Sequence, residues 1–336
     1  MAMIRAGVIG YGYWGPNLVR NLLENENVEV LWCADRNPAR LAALKKRYPG
    51  VAPTENAGDI LNDPRVNAVV IATPVGTHHC LAKQALERGK HVLVEKPMTR
   101  TVAEAEELID LAHKNGLVLM VDHTFIYTGA VRRIKEMVEV GELGELYYFD
   151  SVRVNLGLFQ QDVDAIWDLA PHDLSILTHL VKEQPRYVSA AGADHTGSGF
   201  TDVAYVAVHF ESGLIAHFHV NWLSPVKVRQ ILIGGSRRML VYNDMEPTEK
   251  VRVYDRGVKV TTQEGIYKTL VDYRTGDMWA PKLDLREALS LECEHFVDCV
   301  RFSKVPISNG QSGLSVVRLL EAATKSLAAD GQRIPV

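Results

Sequence analysis

Two short segments of this chain carry side chains suited to proton transfer. The first is Glu95-Lys96-Pro97, which directly follows the apolar run His91-Val-Leu-Val94. A lysine at a strand end can stabilise negative charge on a reacting oxygen; the same position also suits a solvated loop cation. The second is Asp168-Leu-Ala-Pro-His172. Histidine takes and returns protons near neutrality, and Asp168 would orient the ring or share its proton. Pro171 fits the first turn of a helix whose apolar face is Leu174, Leu177, Leu180 and Val181. That places His172 in the opening turn, where the helix dipole favours the neutral ring. The competing reading makes Asp168 a helix cap and His172 polar surface.

A third segment points to a nucleotide. Gly10-Tyr-Gly12-Tyr13-Trp14-Gly15 lies between an apolar strand pattern and a helical one, and Asp35 ends the second strand pattern twenty residues after Gly15. Glycines there let the backbone approach a pyrophosphate at a helix N-terminus, and the carboxylate accepts hydrogen bonds from the adenosine ribose. The alternative is an ordinary tight strand–helix turn. Asp35 favours NAD, because a 2′-phosphate would meet its charge; Arg36 beside it leaves NADP open.

These residues need elements that place them. Short apolar runs at Ile4–Ile9, Val28–Ala34, Ala68–Ala72, His91–Val94 and Leu117–Val121 alternate with helical patterns near 16–25, 38–48, 77–88 and 101–114. Thr101-Val-Ala-Glu104 has the form of a capping box. Such alternation predicts an α/β, doubly wound Rossmann domain over residues 1–122. Beyond it come a helix near 130–139 and long alternating strands at Leu146–Val154, Ala204–Phe210, Leu214–Trp222, Val228–Ile233 and Met239–Tyr242. Two helical patterns close the chain, near 285–302 and 313–328. Residues 123–336 therefore read as an α+β domain on a large, mainly antiparallel sheet, with the last helix free to pack back on the first domain. Apolar residues on both faces of some strands, as in Val206-Ala-Val208 and Ile231-Leu-Ile233, predict a homodimer or homotetramer through that sheet.

The bulk properties narrow the function. A chain of 336 residues with 47% hydrophobic and 23% charged residues can bury two cores, and a net charge of −4 with no long basic stretch gives no footing for nucleic acid or a membrane surface. No apolar run approaches the roughly 18 residues of a membrane span, and the N-terminus lacks a signal-peptide layout. A soluble cytoplasmic protein is expected. Four cysteines, Cys33, Cys80, Cys293 and Cys299, make no CxxC pair, and the pairs His78/His79 and His217/His219 have no ligand partner in sequence, so no metal is expected.

At these residues the chain resembles the Gfo/Idh/MocA family of oxidoreductases. The resemblance covers essentially the whole length and rests on Gly10–Gly15, Ala72-Thr73-Pro74 with His78, the run Gly89 to Pro97, Gly141-Glu-Leu-Gly144 and Asp168 with His172. It implies a catalytic trio of Lys96, Asp168 and His172. It also implies a cofactor site comprising Gly10, Gly12, Tyr13, Trp14, Gly15, Asp35, Arg36, Thr73, Pro74, His78, Glu95 and Lys96. A cis Lys96–Pro97 bond is implied as well, X–Pro being the peptide type in which cis costs only about 0.5–1 kcal/mol. The chain departs from the family pattern at Asp164-Ala-Ile-Trp167, where members usually carry glycines. Asn155-Leu-Gly-Leu-Phe and Ile-Trp-Asp-Leu-Ala-Pro-His-Asp are similar to the nucleotide-sugar branch, including enzymes that oxidise UDP-N-acetylglucosaminuronate at C3. The expected activity is hydride transfer between NAD(P) and a ring carbon of a sugar, nucleotide-linked or a sugar acid. A free cyclitol or aldose dehydrogenase is the alternative within the class, and a non-catalytic NAD-binding sensor the alternative outside it.

Overall fold

The computed structural model of the chain describes residues 3–157, 162–262 and 269–336. Leu158 and Phe159 of the Asn155-to-Phe159 motif lie outside them. The chain divides into two compact units, one formed by residues up to Tyr127 together with Arg286–Glu321, the other by Thr128–Leu285 and Ala322–Val336.

The first unit contains β1 (Ile4–Ile9), α1 (Gly15–Leu23), β2 (Val28–Ala34), α2 (Pro38–Arg47), β3 (Ala52–Thr54), α3 (Ala57–Asn62), β4 (Ala68–Ile71), α4 (His78–Glu87), β5 (His91–Glu95), α5 (Val102–Lys114) and β6 (Leu119–Asp122). The strands form one parallel sheet in the order β3-β2-β1-β4-β5-β6. The order reverses between β1 and β4, so the crevice beyond their carboxyl ends is where this architecture seats a ligand. Val69, Val70, Ile71, Val92, Leu93 and Val94 are all fully buried. Two-sided burial is why these strands read as unbroken apolar runs rather than alternating ones. Helix starts are set locally: Asn37 caps α2 by accepting from Ala39 N, and the Thr101 hydroxyl caps α5 by accepting from Glu104 N.

The boundary differs from a single break after residue 122. The segment Arg286–Glu321 returns to the first unit, because α8 (Ala288–Phe302) carries an apolar stripe, Leu289, Cys293, Phe296 and Val297, that joins the same core as Leu18, Val19 and Leu22 of α1. Those positions are spaced by four, three and one, one face of a helix. Cys33, Cys293 and Cys299 are buried free thiols.

The second unit holds α6 (Gly129–Glu139), β7 (Leu146–Leu156), α7 (Ala165–Leu180), β8 (Pro185–Ala193), β9 (Val203–Phe210), β10 (Ile215–Asn221), β11 (Leu223–Gly235), β12 (Met239–Asn243), β13 (Val251–Thr262), β14 (Thr269–Trp279) and β15 (Ile334–Pro335); α9 (Gly310–Ala328) begins in the first unit and ends in the second. Its nine strands run in the order β14-β13-β12-β11-β7-β10-β9-β8-β15. All pairings are antiparallel except β7 with β10. Helix α7 packs on one face, which buries Ala204, Val206 and Val208 of β9 and Ala216, Phe218 and Val220 of β10. The alternate residues point the other way. There Tyr205, Ile215 and Leu232 are exposed, and Tyr205 stacks on His219 with ring centroids 4.5 Å apart. No helix among the described residues is long and apolar enough to cross a membrane.

Candidate functional site

The glycine turn follows β1, and its three glycines have three different reasons. Gly10 has φ +103°, and a Cβ there would lie 2.3 Å from the Ala72 carbonyl oxygen at the end of β4. A Cβ on Gly15 would lie 2.2 Å from the Gly10 carbonyl oxygen. Both positions are thus closed to any other residue by backbone. Gly12 is different: a Cβ there would meet only the Arg40 guanidinium, at 3.6 Å. Its missing side chain leaves clearance over the N-terminus of α1, whose first N–H groups have no intrahelical acceptor. A pyrophosphate fits such a cradle.

Asp35 closes the site on the β2 side. Its Oδ2 accepts from Tyr11 N at 2.7 Å and its Oδ1 from Asn37 N at 2.8 Å, so two backbone amides fix the carboxylate; Arg40 Nη1 lies 3.4 Å from Oδ2. The remaining lone pairs can accept ribose hydroxyls. Arg36 is exposed. Arg40 carried no signal in the sequence beyond its place in the first turn of the helix after Asp35.

Tyr13 is 87% exposed, whereas Trp14 is anchored. The Trp14 indole donates to Asp122 Oδ2 at 2.7 Å, tying the glycine turn to the end of β6. His78 is buried and bridges two strand-end loops, with Nε2 2.7 Å from the Thr73 carbonyl and Nδ1 2.9 Å from the Pro97 carbonyl. It therefore holds the Thr73-Pro74 and Lys96-Pro97 turns at a fixed spacing. Glu95 ends β5 in register with Asp122, and the Lys96–Pro97 peptide is cis. Lys96 thus stands at the carboxyl end of the sheet, directly after β5, the strand next to β4.

Below these loops lie two ionisable groups that the sequence did not single out. His123 is buried, and burial, assisted by the charge of Lys96, pushes its pKa down to about 3. Glu292 of α8 is fully buried facing Asp122 and Thr124, and desolvation, then Asp122, holds its carboxyl well above the usual range. The two act on stability in opposite directions. A neutral folded His123 contributes stability at neutral pH that is lost as pH falls from about 6.5 toward 3. A protonated folded Glu292 costs nothing below the ordinary carboxylate range and costs progressively more as pH rises above it. Thermal melts across pH should therefore show His123→Phe flattening the acid limb and Glu292→Gln flattening the alkaline limb. Parallel curves for variant and parent would contradict these assignments.

In the second unit, α7 carries Asp168 and His172. The helix starts earlier than Pro171 implies: Asp164 is its cap, accepting from Trp167 N at 2.9 Å, and Pro171 sits inside it. The residues Asp164-Ala-Ile-Trp167 are that cap and first turn. His172 consequently lies in the third turn, and the dipole argument for its neutrality falls away, because that field fades within the first turn. What the longer helix gives instead is a shared face, Asp168 and His172 being one turn apart. Asp168 is not the cap. Its Oδ2 accepts from the buried Trp222 indole at 3.1 Å, at the end of β10.

The next residue, Asp173, pins the helix to the sheet. It accepts from Arg153 Nε and Nη2 of β7 at 2.8 and 2.7 Å, and from the Ser151 hydroxyl at 2.8 Å. The pair is buried. Removing one partner of such a pair costs roughly 3–5 kcal/mol, because the other charge is stranded. Trp222, Arg153 and Asp173 escaped the sequence reading. None belongs to a spaced motif; only the pairing of β7 and β10 alongside α7 brings them to this helix.

Comparison with known proteins follows this geometry. Residues 4–123 match the model of the GFO_IDH_MocA oxidoreductase family, NAD-binding Rossmann fold, and residues 131–241 match the GFO/IDH/MocA C-terminal domain. The chain is 30% identical over 262 residues to the uncharacterized oxidoreductase YdgJ of Escherichia coli, covering 74% of this chain and 73% of that protein. It is 25% identical over 318 residues to a scyllo-inositol 2-dehydrogenase (NAD(+)) of Bacillus subtilis, covering 90% and 88%. Among solved structures, UDP-N-acetylglucosamine 3-dehydrogenase GnnA of Acidithiobacillus ferrooxidans shares the fold, with TM-score 0.81, 24% identity, and coverage of 98% of this chain and 99% of that one. The glycine turn after β1, the amide-held carboxylate of Asp35 and the two matched domains agree: the chain belongs to the Gfo/Idh/MocA family and is an NAD-dependent oxidoreductase.

Proposed function

We propose that the protein oxidises or reduces a ring carbon of a sugar or cyclitol, and that its substrate is a nucleotide-linked sugar or sugar acid. The observation that carries the reading is the pair Asp168 and His172 on one face of α7, with Asp168 held by the Trp222 indole. Bound NAD supplies the hydride acceptor. His172 takes the hydroxyl proton of the substrate as general base, Asp168 holds the ring and balances the charge it gains, and Lys96 stabilises the developing alkoxide. Two of the named relatives bear the names of a cyclitol and a UDP-sugar dehydrogenase, which supports the coarse class from both sides.

The test is spectrophotometric. The protein is incubated with NAD and a panel of UDP- and dTDP-sugars, myo-inositol, scyllo-inositol and glucose, and the absorbance of reduced nicotinamide is followed. Turnover of a nucleotide sugar is expected. Turnover confined to inositols or free aldoses would replace the substrate proposal with the cyclitol or aldose one. NAD binding with no turnover of any class would leave the sensor reading.

The assembly proposal rests on the face of the second sheet opposite α7. Tyr205 and Ile215 are each 46% exposed there and Leu232 37%. Apolar rows of this kind are costly to leave in water. A second copy covering that face by a two-fold axis is the simplest closure. Light scattering at micromolar concentration is expected to give a dimer or tetramer; a monomer would refute it.

A further inference from the structure

We propose that Glu292 is a positioning residue for the cofactor: it donates a proton in a hydrogen bond to Asp122, and through the Asp122 carboxylate it holds Trp14 and the glycine turn in place. All of these residues lie in the first unit, and no substrate assignment is needed. The chain of contacts starts at Trp14, the residue before α1. That helix end has no side-chain cap, and Pro16 in its first turn has no N–H. The N–H groups of Asn17 and Leu18 turn back onto the Trp14 carbonyl, at 2.9 and 3.3 Å. The donors left for a pyrophosphate therefore come from the backbone of Trp14, Gly15 and the residues just before them. What anchors that backbone is the indole, which donates to Asp122 Oδ2 at 2.7 Å.

Asp122 is the last residue of β6 and is buried. Its other oxygen accepts from the Thr124 hydroxyl at 2.5 Å. Glu292, on α8, is fully buried and faces both of them. Neither Glu292 oxygen receives an N–H or O–H from the described residues. One of two carboxyls sharing a buried site keeps its proton, and that proton turns the contact into a charge-assisted hydrogen bond. Burial and the charge of Asp122 push the Glu292 carboxyl up, so Glu292 carries it. Asp122, already accepting from an indole and a hydroxyl, has lone pairs left for a third donor. The other ionisable groups around Glu292 are Glu95 at the end of β5, Tyr127 after β6, and Cys293 beside it on α8. Burial pushes Tyr127 and Cys293 up, which keeps both neutral, and Glu95 opposes a second negative charge. When Glu292 does ionise, two carboxylates repel, Asp122 shifts, and Trp14 loses its fixed acceptor. Cofactor affinity should therefore be level near neutrality and fall as pH rises through the Glu292 ionisation.

The experiment titrates NADH into the whole chain from about pH 6 to about pH 9.5, well below the melting temperature. The unaltered chain is expected to lose roughly 3- to 10-fold in affinity on the alkaline side, the worth of one weakened hydrogen-bonded contact. Glu292→Gln keeps a donor at every pH, so it should match the parent at neutrality and stay level in alkali. Glu292→Leu removes the donor and should bind more weakly throughout, by roughly the same 3- to 10-fold. Trp14→Phe cuts the other end of the relay; it too should bind more weakly and lose the alkaline fall. A purely structural Glu292 would move only the melting temperature, leaving the affinity of the folded chain and its pH profile as they were. Level binding by the unaltered chain overturns the proposal. So does an alkaline fall that persists in Glu292→Gln or in Trp14→Phe, or parental NADH affinity in folded Glu292→Leu.

Discussion

His172→Ala is expected to lower turnover by roughly two to four orders of magnitude, the usual contribution of a positioned general base. Cofactor affinity should stay nearly unchanged, because the glycine turn and Asp35 belong to other elements. The structure separates this chemical effect from a folding effect. Helix α7 is anchored by the Asp164 cap and by Asp173 on Arg153 and Ser151, none of which involves the His172 ring. The variant should therefore melt close to the parent. The pH profile gives a second readout. Oxidation requires the neutral imidazole, so the rate should rise with pH through an apparent pKa that belongs to the coupled groups, and that limb should vanish in the variant. Lys96→Ala should also cut turnover, and the double variant should lose less than the product of the two single losses if both serve one proton transfer. Folded His172→Ala with parental turnover and an unchanged profile would sink the mechanism.

The second large effect concerns the glycines, which should fail in different ways. Gly10→Ala places a methyl 2.3 Å from a backbone carbonyl at φ +103°. The left-handed backbone alone costs about 1–2 kcal/mol, and displacing β4 adds overpacking of about 1–3 kcal/mol. Its melting temperature should fall clearly. Gly12→Ala meets only the far end of Arg40, so its stability should change by less than about 0.5 kcal/mol. Yet its methyl occupies the clearance over α1 that the pyrophosphate needs, and NAD affinity should drop by at least about tenfold, some 1.4 kcal/mol. Calorimetric melting and NADH titration of the two variants check this. A destabilised Gly12→Ala with normal binding would remove the cradle from the account.

Local rules made much of this legible. The β1–α1 glycine turn, Asp35 and the end of β5 announce themselves because a parallel sheet forces its chemistry to strand ends, and strands buried on both faces leave plain apolar runs. The capping residue Thr101 reads directly. Other features are hidden for stated reasons. Strands β8, β13 and β14 were not expected. β13 begins Val251-Arg-Val-Tyr-Asp-Arg, with charges at Arg252, Asp255 and Arg256, a pattern that fits an exposed ribbon near a sheet edge as well as a loop. Pro171 misled because proline is commonest at a helix start; here the Asp164 cap sets the start, and an interior proline costs only one helical bond and a local clash that the buried helix tolerates. Trp222, Asp122 and Arg40 make their contacts across long sequence gaps or at spacings with no motif. Sequence periodicity places a residue on a face but does not name what it meets there.

The first unit is made in two instalments separated by most of the second. Its six strands leave the ribosome early, but the α8 stripe that covers α1 emerges only after the whole of Thr128–Leu285 has been made. Until then Leu18, Val19 and Leu22 lack part of their core, the kind of transiently exposed apolar surface that makes incomplete chains prone to aggregate. A premature stop anywhere in that interval removes α8, so a lesion written in the second unit is felt as an incomplete first one. For the same reason, a fragment ending near residue 127 makes a poor stand-in for the cofactor-binding half, whereas a fusion that reattaches residues 286–321 restores the missing wall.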